Sequence, residues 1–232
     1  RPVEHADKDD DAAVVIILAV EYQRLEGSVG VALRRGDAVH NVLKHGVDVD
    51  VRLCAYLRRV HREDADDLFN WIAAQPWSDG SVGMWGASYL GYTTTSACTS
   101  GNPHLKAAVS EVNVGSPFYD TVRKGGAVCS WPLLCWTLAQ SVSNRVDMDV
   151  FKGVSIDPVE AVRTRPITDI PERIIGCKSA PWDLWAKHYH YDDFWRHSDN
   201  TAHADNIQIP MLILSGWYDG DALGVQETWR FL

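Results

Sequence analysis

The sequence predicts an α/β fold with a mostly parallel sheet, and three observations predict it. Strand and helix patterns alternate between residues 12 and 110. The first strand pattern, residues 12–20 (AAVVIILAV), is short, apolar and β-branched, as a strand buried on both faces would be. A turn of small residues, Gly86-Ala87-Ser88, lies between a strand pattern and a helix pattern.

Taken in order, residues 1–11 are polar and acid-rich, a loop or edge. Residues 28–46 read as a loop and a helix ending at Gly46. Residues 47–51 alternate Val and Asp with period two, a strand. Residues 53–62 are basic and carry no clear period. Residues 63–75 form the clearest helix: Ala65, Leu68, Phe69, Ile72 and Ala73 make one apolar stripe. Glu63, Asp64, Asp66 and Asp67 suit the positive end of its dipole, and Pro76 stops it. Ser78-Asp79-Gly80 is a turn, 81–85 a strand, 90–100 a helix closed by Gly101-Asn102-Pro103, and 105–110 a strand. From 117 to 205 the period is lost, and five tryptophans (Trp131, Trp136, Trp182, Trp185, Trp195) mark a helical insertion. Residues 209–214 (IPMLIL) return to a buried-strand pattern that ends at Gly216-Trp217-Tyr218-Asp219. The expected organisation is a core over 1–116, a helical cap over 117–205 and a returning core strand within 206–232.

Composition narrows the function. The chain has 232 residues, 46% hydrophobic and 23% charged, with 22 basic against 31 acidic residues and hence a net charge of −9. An acidic chain is a poor match for nucleic acid or an anionic membrane surface, so neither is expected as a partner. The longest apolar run is 12–20, well short of the roughly 20 residues that span a bilayer. Cys54, Cys98, Cys129, Cys135 and Cys177 are odd in number and contain no Cys-x-x-Cys, so neither a disulfide framework nor a zinc ribbon is expected. That usage favours a reducing, cytoplasmic compartment.

The chemistry concentrates at Gly86-Ala87-Ser88-Tyr89-Leu90-Gly91. A serine on a tight strand-to-helix turn has its oxygen lifted clear of the sheet, and Gly86 and Gly91 keep its neighbours small. The next backbone N–H, that of Tyr89, would point at a developing oxyanion. The second glycine falls one place later than in Gly-x-Ser-x-Gly. An ordinary strand-to-helix turn packed with small residues is the alternative. In α/β-hydrolases the chain order is Ser, then Asp or Glu, then His. Asp219, just past a strand pattern, is placed as the acid; otherwise it is a turn aspartate in Asp219-Gly220. None of the nine histidines follows it, so the base is expected beyond Leu232, or the chain is catalytically incomplete.

The stretch from Trp71 through Gln75-Pro76-Trp77, Val82-Gly83-Met84 and Gly86-x-Ser88-Tyr89-x-Gly91 resembles the CocE/NonD hydrolases, the cocaine-esterase and Xaa-Pro dipeptidyl-peptidase group. The late glycine is that family's own pattern. The resemblance implies an α/β-hydrolase fold with a helical cap, Ser88 as nucleophile and Asp219 as acid. It also implies an oxyanion hole of the Tyr89 N–H and a tyrosine hydroxyl after an early strand. Tyr22 is similar in placement, although Glu21 stands where the family has proline. Tyr191-Asp192-Asp193-Phe194-Trp195 resembles the end of the cap, and Gly125-Gly126 a family Gly-Gly step. The family's Asp-x-Arg-Gly-x-Gly is missing, since Asp50-Val51-Arg52 is followed by Leu53-Cys54. The C-terminal part of the family's architecture, with its histidine, is also absent.

The expected function is therefore a serine hydrolase of acyl esters or amides, Xaa-Pro peptides included. It would act on a small ester or short peptide without a cofactor. A catalytically incomplete fragment or binding module is the alternative. His188, His190, Asp192, Asp193 and His197 could be read as metal ligands, but they match the cap, which needs no metal. Asp7-Lys8-Asp9-Asp10-Asp11 lacks the glycine and distal glutamate of a calcium loop.

Overall fold

The computed structural model describes residues 15–18, 30–32, 61–128, 133–137, 157–176 and 178–232. Its sheet contains β1 (Val15–Leu18), β2 (Gly30–Ala32), β3 (Val82–Ala87), β4 (Leu105–Glu111) and β5 (Met211–Leu214), in the order β2-β1-β3-β4-β5. β1, β3, β4 and β5 run parallel. β2 is antiparallel to β1, with Ile16 opposite Ala32 and Leu18 opposite Gly30. The sequence reading of 28–46 as loop and helix is corrected at this point, since residues 30–32 form a strand. Three residues are too few to show a period, and it is pairing with β1 that makes them a strand. The strand expected over 47–51 lies outside the described residues.

Helix α1 (His61–Ala73) buries the stripe read from the sequence: Phe69 and Ile72 are fully enclosed and Ala65 nearly so. Helix α2 (Tyr89–Cys98) packs on α1, β3 and β4 and is buried from Gly91 to Cys98 except at the half-buried Thr93. It tolerates three threonines in this setting because each hydroxyl donates to a carbonyl one turn back, Thr93 to Tyr89, Thr94 to Leu90 and Thr95 to Gly91. Phe69, Ile72, Val82, Met84, Ala97 and Leu105 form the core between these layers. Burial pushes the Cys98 thiol up to about 12, so this cysteine is a packing residue.

β5 departs from its predicted burial. Leu212 is 54% and Leu214 43% exposed, while Met211 and Ile213 are half-buried. Among the described strands β5 pairs only with β4. An apolar run records that a strand is suited to burial, not that both faces are covered.

Residues 117–206 contain a wide turn (Pro117–Val122), a helical turn over 133–137, and helices α3 (Pro158–Arg163), α4 (Ile170–Ile175), α5 (Ala180–Lys187) and α6 (Asp193–Ser198). A 3₁₀ stretch, Asn200–Asn206, follows. Local capping starts several of them. The Asp157 side chain accepts from the Val159 and Glu160 N–H groups, Ser179 from Trp182, and Asp192 from Phe194 and Trp195. Phe118, Val122, Leu134, Ile170, Trp182 and Trp195 form a second core. Three bonds tie the end of this segment to α2: Tyr92 Oη donates to the Ser198 carbonyl (2.6 Å), Ser96 Oγ to Asn200 Oδ1 (2.7 Å) and Asn200 Nδ2 to the Tyr92 carbonyl (3.5 Å). Helix α7 (Ala222–Phe231) follows β5. No described helix is long and apolar enough to cross a membrane.

Candidate active site

Because β3, β4 and β5 are parallel, their carboxyl ends share one edge of the sheet. Ser88 follows β3 on that edge and Asp219 follows β5. One strand lies between them, which separates the strand ends by about 10 Å.

Ser88 has φ 60° and ψ −127°, the conformation of the first central residue of a II′ turn, where glycine dominates. Such a backbone persists only where surroundings enforce it. The Ser88 N–H donates to the Glu111 carbonyl (3.0 Å), and the Ser88 carbonyl accepts from the Tyr92 N–H (3.0 Å). Gly86 and Gly91 make the turn sterically possible. A Cβ on Gly86 would lie 2.4 Å from the Leu90 carbonyl oxygen, and one on Gly91 2.4 Å from that of Glu111. The Ser88 side chain is exposed and does not cap α2, although serine at such a position ordinarily would. The hydroxyl is therefore not committed to stabilising its own helix.

Asp219 is half-buried in the turn after β5, where its Oδ1 accepts from the Asp221 N–H (2.8 Å). Lys124 Nζ donates to the neighbouring Gly220 carbonyl (2.5 Å) and fixes the turn from the helical segment. Trp217 and Tyr218, just before it, are almost fully exposed. Tyr22 lies outside the described residues, as do Asp7-Lys8-Asp9-Asp10-Asp11 and Trp131.

The remaining tryptophans of the helical segment sort into two groups. Trp182 and Trp195 are fully buried in its core. Trp136 and Trp185 are half-buried and stacked (centroids 5.8 Å), and Trp136 lies 5.7 Å from the ring of Tyr89. An aromatic series thus runs from the residue after Ser88 to a gap of only about 10 Å³, room for a single water, bounded by Val122, Leu133, Ile167, Trp182, Trp185 and Ala186. His188 Nδ1 lies 2.6 Å from Asp192 Oδ2 and its ring stacks on Phe194, so both partners serve the local helix start. Gly125 and Gly126 both have positive φ (61° and 87°), which explains a Gly-Gly step at this turn.

One buried carboxylate was not singled out by sequence. Asp120 Oδ2 accepts from the backbone N–H groups of Gly115 (3.0 Å) and Ser116 (2.8 Å). Burial raises its pKa to about 6, opposed by those two bonds, and Asp221 adds a smaller push in the same direction. The folded value exceeds the unfolded one. The protonated form therefore stabilises the fold below about pH 4, and that contribution is lost as pH rises through 6. Two units correspond to roughly 2–3 kcal/mol. Asp120→Asn keeps an oxygen for both N–H groups and removes the charge. Urea denaturation at pH 5 and pH 7.5 should show a smaller loss on raising pH for Asp120→Asn than for wild type; equal losses would refute the assignment.

A family model for X-Pro dipeptidyl-peptidase (S15 family) matches residues 54–232. A cocaine esterase of Rhodococcus sp. (strain MB1 Bresler) is 31% identical over 171 residues, covering 68% of this chain and 29% of the esterase. An Xaa-Pro dipeptidyl-peptidase of Lactobacillus helveticus (strain DPC 4571) is 28% identical over 163 residues, covering 67% of this chain and 18% of the peptidase. Among solved structures, an aminopeptidase from the marine sediment archaeon Thaumarchaeota archaeon superposes with a TM-score of 0.56 at 25% identity, over 74% of this chain and 29% of that one. The chain spans less than a third of the length of the relatives it matches. The matched range takes in both the serine turn and the turn of Asp219, and this chain accordingly belongs to the S15 family of X-Pro dipeptidyl-peptidases, hydrolases with the α/β-hydrolase fold.

Proposed function

We propose that this chain carries the nucleophile and the acid of a serine hydrolase that cleaves acyl ester or amide bonds, Xaa-Pro peptides included. The observation that carries the reading is Ser88: a non-glycine residue in a II′ conformation, exposed, its hydroxyl not used as a helix cap. Ser88 Oγ attacks the substrate carbonyl as its proton passes to a histidine. That histidine is supplied from outside these 232 residues and oriented by Asp219. The Tyr89 N–H, with Tyr22 as second donor, holds the oxyanion. Collapse of the tetrahedral species expels the alcohol or amine, which takes the proton, and water then releases the acyl group from Ser88. Residues 117–205 act as the cap, and the series Tyr89, Trp136, Trp185 supports an apolar wall for the acyl group.

A fluorophosphonate probe tests this on the full-length protein. Labelling at Ser88 that is lost in Ser88→Ala and slowed about 10⁴-fold in Asp219→Asn is expected. A protein that leaves the probe unreacted is a binding module instead.

A further inference from the structure

The proposed chemistry needs Ser88 and Asp219 at a fixed separation, yet they follow β3 and β5, with β4 between those strands. Three consecutive residues at the end of β4 touch both sides. The Glu111 carbonyl accepts the Ser88 N–H (3.0 Å), and the Val112 N–H donates to the carbonyl of Leu214, the last residue of β5 (2.7 Å). Asn113 Nδ2 donates to Thr95 Oγ1 on α2 (2.9 Å) and to Thr228 Oγ1 on α7 (3.1 Å).

Several observations mark this turn as built for close tolerance. Val112 has φ 43°, a left-handed position that a β-branched residue rarely adopts. Asn113, Thr95 and Thr228 are fully buried. The direction of the bonds is fixed as well. Thr228 Oγ1 donates its one hydrogen to the Gly224 carbonyl (2.8 Å). Ser110 Oγ donates to the Gly91 carbonyl, so Thr95 directs its hydrogen to that same carbonyl or to Ser110. Both threonines can therefore only accept from Asn113, and among the described residues its amide is the one donor that serves both. Among the described residues its buried Oδ1 has no partner, so the asparagine is held in this orientation at a cost. Glycines let both helices close on the turn. A Cβ on Gly91 would sit 3.2 Å from Asn113 Cβ, and one on Gly224 would sit 2.7 Å from the Asn113 carbonyl oxygen. Trp85 Nε1 donates to Glu111 Oε1 (2.7 Å) and pins the turn from β3.

We infer that Asn113 is a positioning residue: its two donor bonds set the spacing between the helix that opens at the nucleophile and the helix that follows Asp219. The inference rests on the hydrolase reading above. It predicts that loosening the α7 arm moves Asp219 relative to Ser88 without changing how substrate is held.

Thr228→Val removes that arm with little change of shape, and Thr95→Val removes the other. In the full-length protein acting on p-nitrophenyl acetate, Thr228→Val should lower kcat about tenfold with KM unchanged. In an Asp219→Asn background the same substitution should change kcat less than twofold, because the displacement acts through Asp219. Equal losses in both backgrounds, or a lower Tm with kcat unchanged, assign Asn113 a purely structural role and overturn the inference. Absence of fluorophosphonate labelling in the wild type overturns the hydrolase reading and this one together. Labelling with equal losses overturns this one alone.

Discussion

Gly91→Ala is expected to destabilise the fold by about 3–5 kcal/mol, a large part of the 5–15 kcal/mol that holds a typical domain. An added methyl would meet the Glu111 carbonyl oxygen at 2.4 Å and the Gly86 carbonyl oxygen and Asn113 Cβ at 3.2 Å. Two of these atoms are backbone, fixed by the β3–β4 ladder, so no side-chain rotation relieves the clash. α2 would have to lift off β4. That movement breaks the bond from the Ser88 N–H to Glu111 and strains those from Thr95 and Ser110 to the Gly91 carbonyl. Gly216→Ala is the matched control. No described residue comes within 4 Å of its added Cβ, and the change should stay within about 0.5 kcal/mol of wild type. Urea denaturation of both variants decides the matter. A Gly91→Ala protein within 1 kcal/mol of wild type, on the scale of an ordinary surface change, would show that the helix and strand are not locked at this point.

How much of this was legible in the residues depends on the range of the interaction. α1 was legible because thirteen residues are enough to repeat an apolar stripe. The serine turn was legible because strand, small residues and helix are contiguous. The helical segment was not resolved into elements, since α3, α4 and α6 have six residues each, less than two full turns. The start signals of α3, α5 and α6, namely Asp157-Pro158, Ser179 with Pro181, and Asp192, are local and could have been used. The exposure of Leu212 and Leu214 could not, because a strand's composition does not say which neighbours cover it. Val112 and Asn113 were passed over for the same reason. Asn113 takes its meaning from Thr95, eighteen residues before it, and Thr228, 115 residues after it. Asp120 is similar: its raised pKa comes from burial beneath Gly224 of α7, which no local pattern announces.

Ser88→Gly is expected to leave the fold more stable than Ser88→Ala by about 1 kcal/mol, while both variants lose essentially all hydrolytic rate, on the order of 10⁴-fold or more. At φ 60° and ψ −127° any residue with a Cβ is strained, and alanine inherits that strain from serine. Glycine removes it. The greater freedom of glycine in the unfolded chain returns roughly 0.5–1 kcal/mol of the gain, which is why the net figure is modest. No capping bond is lost in either variant, because the Ser88 side chain makes none to α2. Stability and rate should thus move in opposite directions at this one position, as expected where a fold carries strain for the sake of chemistry. A residue retained only for packing would behave differently: glycine would be no better than alanine, and the rate would survive both. Thermal denaturation of the two variants, with p-nitrophenyl acetate hydrolysis by the full-length protein alongside, separates the cases. If Ser88→Gly is no more stable than Ser88→Ala, the backbone at this turn is not under strain, and the observation on which the proposed nucleophile rests fails.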